Sequence, residues 1–132
     1  MAQLRLNPRE LDVLNILWKT NTEMTSTDIV NEKRGLTQST VIAVLRKLLS
    51  YNLVEVAGVT HSGKVLSRTY RPTEESRDVI MQNFADDYAS FKNVIPKSDL
   101  CAAILGIEQS PEQMKAEIAK LKKILAAYEK KL

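Results

Sequence analysis

Apolar positions in the first half of the chain recur with the period of a helix. LNPRELDVLNILWK has a broad apolar face behind a capping Asn7, and LTQSTVIAVLRKLLS has a narrower one behind a capping Thr37. Between them, TSTDIVNEKRG predicts a short helix that Thr25 caps and that a glycine ends. The pattern therefore predicts three successive helices before residue 52.

The period then changes from that of a helix to that of a strand. Asn52 suits the left-handed end of the third helix, and LVEVAGVTHSGKVLSRTYRPT predicts two strands joined around Ser62 and Gly63, closed by Pro72. Two short helices, a tight turn and a hairpin, in this order, are typical of a winged helix-turn-helix. We predict that residues 1–72 form a winged-helix DNA-binding domain.

The second half predicts three more helices. Thr73 is placed to cap the first, the second spans Lys97 to Leu105, and Ser110 caps the last. Apolar residues of the last helix alternate spacings of four and three, which is the seam of a coiled coil and suits a partner helix. The seam comprises Met114, Ile118, Leu121, Leu125, Tyr128 and Leu132. The predicted fold is mainly α with a small β-hairpin, and residues 73–132 form a helical dimerisation domain.

A helix that enters the major groove needs an apolar buried face and an opposite face that reaches phosphates and base edges. With Val41 in the buried face, the predicted DNA-binding residues of the third helix are Gln38, Ser39, Thr40, Ile42, Ala43, Arg46 and Lys47. In the hairpin they are His61, Ser62, Lys64 and Arg68, which follow the DNA backbone as a wing. Each of these residues also has an ordinary explanation as a helix cap or a solvated charge.

Charge supports an anionic partner for the first half. The 132 residues carry a net charge of +3, but residues 1–72 contain 10 Lys and Arg against 6 Asp and Glu. One cysteine and one histidine cannot build the usual zinc or copper site, so we expect no metal and no cofactor. Without an export signal or a membrane-length apolar run, we expect a cytoplasmic protein that does not contact the membrane.

The segments ELDVLNILWK, TSTDIV, LTQSTVIAVLRKLLSYNLV and RTYRPTEES resemble the penicillinase repressor and methicillin-resistance repressor family of bacterial winged-helix transcription factors. The resemblance implies a homodimeric repressor that binds a palindromic operator in double-stranded DNA. It also implies that Ser39, Thr40 and Lys47 approach the DNA. Ile42 and Ala43 stand where family members often have Arg and Thr, so we expect either an operator sequence that differs from theirs or low specificity.

The resemblance also implies a way to end repression. Family members related to β-lactam resistance are inactivated by proteolysis between an Asn and a Phe, and Asn83 and Phe84 match that pair. The partner would then be a sensor metalloprotease. The copper-responsive branch of the family uses paired cysteines, whereas here Cys101 stands alone among apolar neighbours, and we expect it to be a buried structural thiol.

Two other classes of function compete with the repressor. An enzyme would need a nucleophile with a base, but His61 lies in a turn without a partner acid. Asp86 and Asp87 are adjacent on a helix and point apart, which makes a poor catalytic pair. The stronger alternative is a winged-helix module for protein–protein interaction without sequence-specific DNA binding.

Overall fold

The computed structural model describes residues 4–107 and 109–132, with only the backbone of Ser62. Its order of elements confirms the predicted mainly helical fold with one hairpin. Contacts divide the chain into two compact units, one reaching to Tyr88 and the other spanning Ala89–Leu132. The elements are α1 (Pro8–Thr20), α2 (Ser26–Glu32), α3 (Gln38–Ser50), β1 (Val54–Ser62), β2 (Val65–Pro72), α4 (Glu74–Phe91), α5 (Lys97–Leu105) and α6 (Pro111–Lys130).

Side-chain caps fix where the first helices begin. The Asn7 side chain accepts the Glu10 amide over 2.8 Å, and the Glu10 carboxylate accepts the Asn7 amide over 2.8 Å. Thr25 and Asp28 make the same reciprocal pair at the start of α2. Each pair satisfies two amides that a helix start would otherwise leave without acceptors. These starts lie where the sequence predicted them.

One core holds α1, α2, α3 and the start of β1 together. Its apolar side chains are Leu6, Val13, Leu14, Ile16, Leu17, Met24, Ile29, Leu36, Val41, Val44, Leu45, Leu48, Leu53 and Val54. Asn52 has a φ of 59°, which ends α3 in the predicted left-handed conformation and lets Leu53 return into this core. The core therefore fixes α3 against α1 and α2.

The hairpin is a two-stranded antiparallel sheet. Its turn lies at Gly63 and Lys64, one residue later than predicted, and Gly63 has the positive φ of 66° that such a turn requires. A bulge lies between Val56 and Gly58. At the base of the hairpin, Met24 exchanges both backbone hydrogen bonds with Tyr70, which ties β2 to the segment before α2.

Polar side chains hold α4 in the first unit. The Trp18 indole donates to Ser76 Oγ over 2.9 Å. Asn83 is buried, and its Oδ1 accepts the Leu6 amide over 2.9 Å while its Nδ2 donates to the Leu4 carbonyl over 3.0 Å. The first compact unit consequently extends past Pro72 and includes most of α4.

Thr73 differs from the prediction. Its hydroxyl donates to the Asn52 carbonyl over 2.7 Å, and among the described contacts it accepts no amide of α4. The amide of Thr73 also donates to Leu53. Thr73 therefore ties the end of the hairpin to the end of α3 and is not the side-chain cap of α4, because the tertiary contact uses its hydroxyl.

The second unit contains α5 and α6. Ser110 caps α6 as predicted, accepting the Gln113 amide over 3.2 Å. None of the described residues of α5 or α6 is buried in the single chain. Cys101 is intermediate in exposure, so the expectation of a buried thiol is wrong for the single chain. Among the described residues, no helix combines the length and the apolar character that a bilayer span requires.

Candidate nucleic-acid interface

Helix α3 has one buried face and one solvent face. Val41, Val44, Leu45 and Leu48 are buried. The exposed residues of α3 are Gln38, Ser39, Ile42, Ala43, Arg46, Lys47 and Ser50, whereas Thr40 is intermediate. All the side chains that the sequence assigned to DNA contact on this helix thus lie on or beside its solvent face.

The first turn of α3 is organised by hydroxyl groups. Thr37 Oγ1 accepts the Thr40 amide over 3.2 Å and donates to Thr40 Oγ1 over 2.8 Å. Ser39 Oγ lies 3.3 Å from the same Thr37 oxygen. The Gln38 side chain reaches back to α2, where its Nε2 donates to Ser26 Oγ over 2.6 Å. These contacts fix the polar side chains at the N-terminal end of α3, which is the end that the sequence predicted to contact DNA.

The basic side chains of the hairpin differ in whether an acidic side chain compensates their charge. Arg71 donates to Glu55 Oε1 over 2.6 Å across the strands, and this hydrogen bond together with the charge of Glu55 raises the pKa of Arg71. Lys64 and Arg68, by contrast, are exposed and make no ion pair with any described residue. The charges of Lys64 and Arg68 are therefore available to an external anion, whereas that of Arg71 is compensated. His61 is exposed beside them, and the Ser62 side chain lies outside the described residues.

Ion pairs elsewhere in the first unit neutralise other basic side chains. Arg5 pairs with Asp87, and both Arg9 and Lys33 pair with Asp12. Within the described part of residues 1–72, the basic side chains without an ion pair are Lys19, Arg34, Arg46, Lys47, Lys64 and Arg68. Four of these six belong to α3 or the hairpin. Uncompensated positive charge is thus concentrated on the two elements that a winged helix uses to hold DNA.

Candidate catalytic and metal-binding groups do not converge. In the described ranges, no group of three or more His, Cys, Asp or Glu side chains could hold a metal ion. Asp87 is paired with Arg5, and Asp86 accepts a hydrogen bond from Gln82 over 3.2 Å. Both carboxylates of this adjacent pair thus have separate surface partners.

The candidate cleavage residues lie in the interior of α4. Asn83 is buried and Phe84 is 66% exposed. Asn83 also donates to the Val79 carbonyl over 2.8 Å, within the helix. A protease needs an extended backbone at the bond it cuts, so cleavage at this pair requires α4 to open. Sequence reasoning missed the structural role of Asn83, because its partners Leu4 and Leu6 lie far away in the sequence.

Comparison with known proteins identifies the family. The sequence model described as penicillinase repressor matches residues 6–127. No curated protein matches the chain by sequence. The chain is similar to the solved structure of a MepR mutant from a multidrug resistant S. aureus clinical isolate, at 18% identity and a TM-score of 0.52, over 94% of this chain and 80% of that chain. It is also similar to an S. aureus MepR mutant bound to an oligodeoxyribonucleotide, at 17% identity and a TM-score of 0.51, over 93% of this chain and 80% of that chain.

At these identities the two structures show the fold alone, and that fold is the winged helix. The family match, however, covers nearly the whole chain and includes α3, the hairpin and all of α4 and α5. The resemblance inferred from the sequence is thereby confirmed. The chain belongs to the penicillinase repressor family, and it is a DNA-binding transcriptional repressor rather than an enzyme.

Proposed function

We propose that the chain is a homodimeric repressor that binds a palindromic operator in double-stranded DNA. Helix α3 enters the major groove, and the hairpin follows the phosphate backbone. The protein acts in the cytoplasm, where its operator is. The observation that carries this proposal is that Arg46, Lys47, Lys64 and Arg68, on α3 and the hairpin, make no ion pair with any residue that the structure describes.

Within this proposal the residues have different roles. Gln38, Ser39 and Thr40 supply amide and hydroxyl groups to base edges, and Ile42 and Ala43 contact thymine methyl groups. Arg46, Lys47, Lys64 and Arg68 contact phosphates, and His61 and Ser62 lie along the same path. Because phosphate contacts carry no sequence information, the first group determines which operator is bound, and the second group determines how strongly salt weakens binding.

A salt titration tests the phosphate contacts. The purified protein is titrated against its own upstream DNA and against an unrelated duplex at several salt concentrations. The double variant Lys64→Ala/Arg68→Ala should reduce the slope of log affinity against log salt by about 2, because each lost phosphate contact contributes about 0.9. Lys19→Ala is the matched control, since Lys19 of α1 is exposed and forms no ion pair within the described part of the chain. An equal change in the control would contradict the assignment to the hairpin.

Base readout is tested by selecting binding sites from a randomised duplex library. Gln38→Ala should relax the preference at one position in each half-site, at a cost of about 1–3 kcal/mol in discrimination between bases. Arg46→Ala should weaken binding to all sequences about equally. If the unaltered protein enriched no sequence at all, sequence-specific operator binding would be excluded.

Dimerisation is proposed through Met114, Ile118, Leu121, Leu125 and Tyr128 of α6. Leu125 and Tyr128 are 62% and 65% exposed, as expected for a surface that a second chain covers. Charged substitutions at Leu121 and Leu125 should abolish the dimer and weaken operator binding, because two linked heads bind a palindrome much more tightly than one. Helix content and thermal stability of the first unit should be unchanged. A variant that stayed dimeric would show that the seam is misassigned.

We also propose that proteolysis by a sensor metalloprotease relieves repression in response to a β-lactam or a related signal, with Asn83 and Phe84 as the candidate pair. Because this bond lies within α4, cleavage there requires the helix to open first. Asn83→Ala should then accelerate limited proteolysis of the purified protein at this position. Unchanged derepression in the native host with Phe84→Ala would count against this pair.

One observation favours a second candidate function. Val59, Val65 and Leu66 of the hairpin are 62%, 67% and 63% exposed, which is an apolar surface for a segment that tracks phosphates. A winged helix used for protein–protein interaction would present such a surface to its partner. Failure to bind any duplex at low salt, together with loss of a protein partner in a Leu66→Lys variant, would favour this function.

A further inference from the structure

The outer part of the hairpin, residues 58–68, stands out from the helices of the first unit. No described side chain in this range is buried, and no described residue in it hydrogen-bonds to a helix. The outer part carries Lys64 and Arg68, the cations that the proposed function assigns to DNA phosphates. Contacts at its base must therefore set the direction in which these two cations are presented.

A bulge at this base makes the direction sensitive to small changes. Ala57 of β1 has no partner in β2, because Val56 and Gly58 oppose successive residues of β2. Such a bulge bends and twists the strand that contains it. At about 3.3 Å per residue the turn lies about 15 Å beyond the bulge, so a rotation of about 10° there would move the turn by about 2–3 Å. That displacement would break a hydrogen bond to a phosphate, which needs about 2.7–3.2 Å.

Two contacts join the base of the outer part to the segment before α2. Tyr70 and Met24 exchange backbone hydrogen bonds over 3.1 and 2.8 Å. One residue nearer the turn, the hydroxyl of Thr69 donates to Oε1 of Glu23 over 3.0 Å. A single pair of backbone bonds fixes the distance between two segments more than the angle between them. The side-chain bond beside it therefore has the geometry that fixes the angle.

The bond between Thr69 and Glu23 also lies against the bulge. A Cβ atom on Gly58 would lie 3.4 Å from both Glu23 Oε1 and Thr69 Oγ1, so only a glycine leaves this space open. Thr69 is buried, whereas the preceding Arg68 is exposed. Successive side chains of a strand point to opposite faces. Holding Thr69 against Glu23 thus holds Arg68 on the other face of the hairpin.

We propose that the hydrogen bond between Thr69 and Glu23 fixes the direction of the outer part of the hairpin, which makes both of them positioning residues for DNA binding. This inference rests on the proposed function, in which Lys64 and Arg68 contact phosphates. Glu23 is exposed and makes no ion pair with a described residue. By charge alone, its removal should strengthen the binding of an anionic duplex. The positioning role predicts the opposite sign.

Substitutions at both ends of the bond test this role. Thr69→Val removes the donor and keeps a β-branched side chain that suits a strand, and Glu23→Ala removes the acceptor. Each should weaken binding of the protein's own upstream DNA by about three- to tenfold, because the bond no longer favours one direction of the hairpin. The conservative variants Thr69→Ser and Glu23→Gln keep a donor and an acceptor, so they should bind at least as tightly as the unaltered protein. Fluorescence anisotropy at one salt concentration compares all four.

Matched controls separate the bond from charge and from the substitution itself. Thr60→Val makes the same change on β1, where Thr60 is exposed and its side chain has no hydrogen bond to a described residue. Glu32→Ala removes the same charge from an exposed position of α2 that forms no ion pair in the described ranges. Thr60→Val should leave DNA affinity unchanged, and Glu32→Ala should leave it unchanged or raise it.

Two further measurements show whether the effect passes through the hairpin. In the free protein, residual dipolar couplings of the amides of residues 63–66 should fall relative to those of α1 in Thr69→Val, because a hairpin that samples more directions averages them. They should not fall in Thr60→Val. In the Lys64→Ala/Arg68→Ala background, Thr69→Val should weaken DNA binding no further, since the contacts that it would misplace are already absent.

Each outcome has one interpretation. Weaker binding with Thr69→Val and Glu23→Ala that is absent from both controls and from the Lys64→Ala/Arg68→Ala background supports the inference. If Glu23→Ala bound DNA as tightly as Glu32→Ala, the carboxylate would act only as a charge and the inference would be overturned. Unchanged dipolar couplings in Thr69→Val would also overturn it and leave the proposed function intact. If Lys64→Ala/Arg68→Ala did not change the salt dependence, the proposed phosphate contacts would be wrong, and their positioning with them.

Discussion

The two compact units of this chain use apolar residues in opposite ways. The first unit buries its apolar side chains in one core, whose members Val13, Leu14, Leu17, Ile29, Val41 and Leu48 are wholly inaccessible to solvent. The second unit buries none of its described helical residues, although α6 carries a complete heptad seam. A helix gains most of its stability from packing its apolar face. The first unit therefore has an apolar core of its own, whereas the apolar seam of α6 is not buried in the single chain.

The largest expected effect comes from a matched pair of leucine truncations. Leu14→Ala in the core of the first unit should lower the free energy of unfolding by about 2–5 kcal/mol, because it removes buried methyl groups and leaves a cavity. Leu125→Ala on α6 should lower the free energy of unfolding only at protein concentrations at which the proposed dimer forms, because the dimer would cover this side chain. Urea denaturation at several protein concentrations measures both. If Leu125→Ala lowered the free energy of unfolding by the same amount at every protein concentration, the proposed difference between the two units would be wrong.

The next effect concerns the polar contacts that hold α4. Asn83→Ala should cost about 2–3 kcal/mol, because the Leu6 amide is left buried without its acceptor and the Leu4 carbonyl loses its donor. Gln82→Ala, at the neighbouring exposed position, is the control and should change stability little. Hydrogen exchange of the Leu6 amide should increase in the first variant only. Equal protection of this amide in both variants would show that Asn83 does not anchor the segment.

A smaller effect compares two capping boxes. Thr25→Ala should destabilise the first unit by about 1 kcal/mol, since the Thr25 side chain caps α2 within the folded core. Ser110→Ala removes the equivalent cap of α6. We expect this substitution mainly to let the first turn of α6 fray. Thermal unfolding followed by circular dichroism separates a shifted midpoint from a reduced helix signal. A shifted midpoint of the first unit with Ser110→Ala would mean that the two units unfold together.

The smallest effect concerns charge at the hairpin. Glu55→Gln releases Arg71 from its ion pair, so DNA affinity at low salt should rise by about two- to threefold with a slightly steeper salt dependence. Glu129→Gln makes the same change of charge on α6, where Glu129 has no ion pair with a described residue. Fluorescence anisotropy with one labelled duplex compares the two variants. If both raised affinity equally, net charge rather than its position would control DNA binding.

The sequence predicted the local parts of the fold closely. Helix starts at Pro8, Ser26, Gln38 and Pro111 follow from capping residues and proline, whose effects act within one turn. The buried face of α3 follows from its 3.6-residue period, and so does the exposure of its candidate DNA-binding residues. The hairpin turn was displaced by one residue, because strand register depends on the partner strand as well as on the turn.

Contacts between distant residues could not be predicted in this way. The bond between Trp18 and Ser76 and the bonds of Asn83 to Leu4 and Leu6 join positions that no local period relates. They bring α4 into the first unit, past the predicted boundary at Pro72. The same contacts place the candidate cleavage pair in a helix with its Asn buried, which the order of residues did not indicate.

The sequence by itself determined the helices, the hairpin, the family and the asymmetry of charge, since these depend on neighbouring residues and on composition. Only the tertiary structure decided which charges are compensated, which apolar faces are covered and where α4 is held. Compensation and burial depend on the distance between atoms of residues far apart in the chain. Arg68 and Arg71 are both arginines of β2, and only the folded hairpin shows that Arg71 pairs with Glu55 whereas Arg68 makes no ion pair with a described residue.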